Sequence, residues 1–313
     1  MAVTTTDDKA TPDTMPAAVR LIIALLMIAF ALPGATAQTK ENRETLIWFV
    51  WNLPPEFIPD GKWKGQGYAD KFLAFFIKNL PEYNHKIEFV NVARWSREAL
   101  EPNRCTAHLW GGFFPDQLIL SEPYTVTPPQ VGIFPAKVQE QFGPPNTRIS
   151  LKHLLKDTYL MIAIISLDLD EGALQSRYPI LHPLLAPYVN TPKIIEQNSN
   201  LNVPSLKLLD YGRADYLIGY PSTITAQKRV FGFERDYVAY YFEEHHFYKK
   251  IYAACSKTSA GQKVINRVNS LLTEDTHREF LSYHEEWNMG DPEFRRTIID
   301  YFINKKPLTN VVD

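Results

Sequence analysis

Residues 45–51 form a short run of β-branched and aromatic side chains that ends at Leu53-Pro54-Pro55 and turns at Asp60-Gly61. That pattern predicts a strand running into a loop. From Tyr68, apolar residues recur at Phe72, Leu73, Phe75, Phe76 and Leu80 until Pro81, the spacing of one helix face with a proline stop. The alternation continues with a strand over 85–92, a short helix over 95–100 and a strand over 106–110 closed by Gly111-Gly112. Strands separated by helices imply parallel βαβ units. Beyond a proline-rich stretch, 125–135, a second series follows: strand 159–165, helix 172–185, strand 193–197, helix 204–212 and strand 215–219. Strands over 237–242 and 248–254 come next. Ser259 then caps a long helix with inner face Val264, Ile265, Val268, Leu271 and Leu272, and 294–303 is again helical. No internal repeat or heptad run interrupts the pattern.

Ahead of all this lies Leu21 to Leu32, twelve residues without a charge, preceded by Arg20 and followed by Pro33, Gly34 and Ala35-Thr36-Ala37. The run is shorter than the roughly 18 to 20 apolar residues of a membrane span and ends in an A-x-A cleavage signal, so residues 1–37 read as a cleaved secretory signal peptide. Asp7, Asp8 and Asp13 are unusual before such a signal, which leaves Met15 beside Met1 as a start. No cysteine stands at the cleavage point to take a lipid. A free periplasmic chain is expected, with no membrane insertion after cleavage.

The mature chain of about 275 residues suggests two lobes. With 33 Lys and Arg against 35 Asp and Glu, and both signs scattered, there is no basic stripe, which excludes nucleic acid as a partner. Cys105 and Cys255 are the only cysteines, and an oxidising compartment permits them to pair; two unrelated buried thiols are the alternative.

Catalytic and cofactor signatures are absent: no Walker loop, G-x-S-x-G or G-x-G-x-x-G occurs, and His284-Glu285-Glu286 lacks the second histidine of H-E-x-x-H. No cofactor is expected. Glu243-Glu244-His245-His246 contains metal-ligand types, but neighbours on a strand point to opposite faces, and no metal site is expected there. Asp168, Asp170 and Glu171 lack the remaining oxygen ligands of a calcium loop and read as solvated or capping residues.

Several segments, taken in order, resemble the family 3 extracellular solute-binding proteins that serve ABC importers. They are Pro54-Pro55 with Asp60-Gly61, Gly65-Gln66-Gly67-Tyr68-Ala69-Asp70, Leu120-Ser121-Glu122-Pro123-Tyr124 and Asp210-Tyr211-Gly212-Arg213-Ala214-Asp215. The resemblance spans nearly all of the mature chain. It implies an α/β, two-lobed, periplasmic-binding-protein-like fold of type II (a Venus flytrap), each lobe a mixed, mostly parallel sheet flanked by helices. Lobe 1 would comprise 41–133 plus 248–313, with lobe 2, 134–247, inserted. It also implies a small-molecule ligand in the cleft, an ABC permease or membrane sensor as partner, and a disulfide between Cys105 and Cys255 on neighbouring strands.

Two departures narrow the ligand. Where family members that bind amino acids hold the carboxylate with an arginine after the third strand, this chain offers Gln117. Where an acidic residue would pair the ammonium, it has Tyr220. A buried zwitterion without partners loses several kcal/mol, so an α-amino acid is disfavoured and an aromatic, hydrogen-bonding cleft is expected.

Trp51, Trp95, Trp110, Phe113 and Tyr220 fall where the family contacts ligand, to stack on a flat or sugar-like face or a cation. Filling the core is the alternative for each. Ser166 is expected either to donate to ligand oxygen or simply to cap its helix. The competing function is a lyase on the same scaffold, of the cyclohexadienyl dehydratase kind, with Glu56 or Glu122 as general acid; both also read as loop and capping residues.

Overall fold

A computed structural model describes residues 43–111, 117–145, 147–165, 177–197, 204–287 and 292–313. The expected signal peptide, Phe113, Ser166 and the Asp168–Glu171 acids lie outside the described residues. The strands in chain order are β1 (Thr45–Val50), β2 (Asn84–Phe89), β3 (Arg104–Trp110), β4 (Leu118–Leu120), β5 (Thr125–Thr127), β6 (Val131–Pro135), β7 (Arg148–Ile149), β8 (Ile162–Ile165), β9 (Ile194–Gln197), β10 (Tyr216–Gly219), β11 (Tyr237–Phe242), β12 (Tyr248–Ser256) and β13 (Val311–Val312).

They build two mixed sheets. The first has seven strands in the order β13-β12-β3-β1-β2, with β4 and β5 also pairing to β12; the second has six, β7-β11-β6-β10-β8-β9. β1 runs parallel to β2 and β3, and β8 parallel to β9 and β10. Long β12 lies antiparallel to β3, β4 and β5. The chain therefore leaves the first sheet after Thr127, enters the second at Val131 and returns between Phe242 and Tyr248. Val131, Gly132 and Ile133, expected at the end of lobe 1, pair with β10 and β11 in the second sheet. This is the two-lobed Venus-flytrap architecture.

The periodicities explain the elements. The helix Tyr68–Asn79 buries Tyr68, Ala69, Phe72, Leu73 and Phe76 along one face, against the core around Trp48, Phe49 and Phe280. In the second sheet, Phe134 and Tyr216 stack with centroids 4.8 Å apart. Cys105 and Cys255 face one another across β3 and β12 and are joined by a disulfide.

Several boundaries move for local reasons. The strand expected over 85–92 stops at Phe89, because the Asn91 side chain accepts from the Arg94 backbone N–H at 2.8 Å and starts the helix Val92–Glu98. The expected helix 172–185 is not continuous: Pro179 interrupts it, and a short helix, His182–Leu185, follows. The cap of Ser259–Leu271 is Thr258, whose hydroxyl accepts from Gly261 N–H at 3.0 Å, rather than Ser259. The Glu243–His246 run forms a turn, not a strand. There Glu244 caps the helix Leu151–Asp157, accepting from Leu151 and Lys152 N–H. Among the described residues no helix is long and apolar enough to cross a membrane.

Candidate functional site

A cavity of about 170 Å³ opens between the two sheets. That is below the roughly 300–1,000 Å³ of sites for drug-sized ligands, and suits a small solute. Trp51, Trp95 and Trp110 supply its first-sheet wall and Tyr220 part of the opposite one. Each owes its place to the end of an element: Trp51 follows β1, Trp95 lies in the helix after β2, Trp110 ends β3 and Tyr220 follows β10. Thr127, Pro128 and Gln130, on the outgoing crossover, and His245, on the return, close one side. Lys249 of β12 and Arg177 complete the polar part of the lining.

The tryptophans differ in how deeply they are buried. Trp51 and Trp95 are 9% and 4% exposed and meet each other edge to face. Trp110 is only partly buried, and its indole N–H donates to Thr127 Oγ1 at 3.0 Å. Trp51 Nε1 and Gln130 Oε1 are buried and have no partner among the described residues. Gln130 Nε2 meanwhile donates to the Arg177 carbonyl at 3.2 Å. Orphan polar atoms in a cavity wall are costly unless water or ligand reaches them.

Behind the first-sheet wall runs a buried polar chain. Glu56 is 2% exposed, and burial pushes its carboxyl up to about 7, against the lowering effect of the Tyr68 hydroxyl that bonds it. Tyr68 packs between His108, at 5.8 Å, and His284, at 4.4 Å. Burial holds both imidazoles down at about 3, so they are neutral near pH 7. His284 meets Thr125 Oγ1 at 2.8 Å, while neither ring nitrogen of His108 has a partner among the described residues.

Among the described residues, Gln117 and Glu122 lie elsewhere. Gln117 is exposed and does not line the cavity: its neighbour Leu118 pairs with Ser256, at the far end of β12 from Lys249. Seven residues of strand, roughly 23 Å, separate the two ends. Glu122 is exposed, and its backbone N–H donates to Asn269 Oδ1. Arg177, His245, Lys249 and Gln130 were not foreseen. For Gln130 and His245 the clue was the polar content of the two crossovers, visible once the sheets are known.

The lobes touch across the rim. Arg229, on the helix Ser222–Phe231, stacks over Trp287 and Trp63 at 5.1 and 5.8 Å and donates to the Glu286 carbonyl at 2.8 Å. Among the described residues, no group of three or more His, Cys, Asp or Glu is placed to hold a metal ion.

No protein-family model matches the chain, and no curated protein matches it. Solved structures do. The chain is similar to the probable amino-acid ABC transporter extracellular-binding protein ytmK of Bacillus subtilis (12% identity, 79% of this chain and 100% of that one, TM-score 0.56). It is similar also to a mutant of ArgBP from T. maritima (15%, 80% and 97%, 0.51) and to the periplasmic VFT2 domain of Bordetella pertussis BvgS (15%, 78% and 93%, 0.50). At these identities the likeness establishes the fold.

Proposed function

We propose that this chain is an exported, periplasmic solute-binding protein of the family 3 kind. It captures one small polar or aromatic solute between its lobes and presents the closed form to an ABC importer or a membrane sensor. The observation that carries this reading is the interlobe cavity, walled by Trp51, Trp95 and Trp110 on one side and Tyr220 on the other. A solute touching both walls favours closure because it gains contacts in that state alone. The leader at residues 1–37 supports export, and the solved structures of similar fold include ABC-transporter binding proteins.

The lyase reading needs a general acid at the solute. Burial raises the Glu56 carboxyl to about 7, but it is sealed beneath the wall and bonded to Tyr68 rather than lining the cavity. This favours binding over catalysis. Thermal melts of the purified mature chain against a broad metabolite panel test the proposal, since a ligand at about 100 times its Kd stabilises by about 2.7 kcal/mol. A raised melting temperature with one solute class is expected; no shift across the panel would overturn it.

A further inference from the structure

Lys249 stands in the cavity wall, and its ammonium makes no close ion pair among the described residues. It lies opposite Thr127 of β5 and Val312 of β13, is half-buried, and its side chain makes no hydrogen bond or ion pair among the described residues. The next residue along, Lys250, pairs with Asp313 at 3.2 Å. Burial lowers the Lys249 pKa from its ordinary value, with the Asp313 charge acting the other way. A partly desolvated ammonium is costly unless an anion meets it.

The surroundings of Lys249 carry the same sign. Arg177 adds a second cation to the lining, and no Asp or Glu appears among the described residues that line the cavity. His245, 4% exposed, is held at about 4 by burial, with smaller contributions from His246, Lys249 and Arg148, so it is neutral near pH 7. Its Nδ1 accepts from the Phe247 N–H at 3.4 Å, which leaves Nε2–H as a donor. The remainder of the wall is indole and phenol surface.

We infer that the solute is a flat organic anion, a carboxylate on a ring-sized body, whose charge is met by Lys249 and whose faces lie against Trp51, Trp95, Trp110 and Tyr220. This inference rests on the solute-binding reading and narrows it. A cationic solute would gain cation–π contact from the indoles but would face the Lys249 ammonium in a confined space, and the repulsion prevails. A zwitterion would find a partner for its carboxylate and no carboxylate, among the described lining residues, for its ammonium.

The test is calorimetric titration of the purified mature chain with benzoate, benzamide and benzylamine, ring-sized probes that differ in charge. Benzoate is expected to bind at least about tenfold more tightly than benzamide, and benzylamine not at all. Lys249→Gln is expected to abolish the preference for benzoate, while Lys249→Arg, which keeps the charge, retains it and serves as the control for folding.

Equal affinity for benzamide or benzylamine overturns the inference, as does an unchanged preference in Lys249→Gln. If none of the three binds but the metabolite panel yields a neutral or cationic solute, the inference falls and the solute-binding reading stands. If neither the probes nor the panel bind, both fall.

Discussion

Trp51 and Trp95 meet edge to face, with ring centroids 6.0 Å apart and planes at 83°, and Trp51 turns its other side to Phe57 at 6.2 Å. The pair belongs to the first core as much as to the cavity, whereas Trp110, partly exposed, only borders that core and bonds to Thr127. The two sites should therefore respond differently to truncation. Trp51→Ala is expected to cost about 3–5 kcal/mol of stability in urea unfolding. Trp110→Ala should cost less stability and weaken solute binding by about tenfold or more, read by calorimetry.

Glu56 gives a pH signature. Its carboxyl is raised from 4.5 to about 7 in the fold, first by burial. Below about pH 4.5 it is protonated in both states and its contribution is complete; as pH rises through about 7 the unfolded chain has already ionised, and stability is lost. The total is on the order of 3 kcal/mol. Glu56→Gln mimics the neutral acid, so its stability relative to the parent should grow by that order between about pH 5 and about pH 8 in urea melts. A difference independent of pH would show that Glu56 is ionised in the fold.

The disulfide ties β3 to the return strand across a separation of 150 residues. Replacing Cys105 and Cys255 by serine is expected to remove about 2–4 kcal/mol of stability, measured by denaturant midpoint. The parent should show no free thiol until it is reduced.

Gly67 is confined by space. A methyl there would overlap the backbone carbonyl oxygens of Glu56 and Pro55. Those carbonyls accept from Tyr68, Ala69 and Asp70 N–H, fixing the helix start on the loop that carries Glu56. Gly67→Ala should cost about 1–3 kcal/mol, seen as a lower melting temperature.

The strand–helix alternation of the first lobe was legible because its residues obey the two periods cleanly, as in β1 and in the Tyr68–Asn79 helix. The tryptophans at successive strand ends were legible for the same reason. The helix Ser222–Phe231 was not, since it buries the continuous run Ser222 to Gln227, in which Ser222, Thr223, Thr225 and Gln227 outnumber Ile224 and Ala226. Lys249 was hidden too: Tyr248-Lys249-Lys250 reads as an ordinary solvated strand, and only pairing with β5 and β13 sets Lys249 against the cavity. Gln117 failed for the opposite reason, because position in sequence after the third strand does not fix which end of β12 the chain returns to.

Arg229 bridges the lobes at the rim through Trp63, Trp287 and the Glu286 carbonyl. Arg229→Ala should loosen the closed form, raising the solute Kd severalfold with little change in the melting temperature of the unliganded chain.

The central claim is that a small solute binds between the lobes against the indoles. Tryptophan emission of the purified mature chain, titrated with whichever solute raises its melting temperature most, tests this most directly. One saturable site per chain is predicted, with a signal that Trp110→Phe diminishes. A stabilising solute that leaves the emission unchanged, or whose signal is indifferent to Trp110, would contradict it.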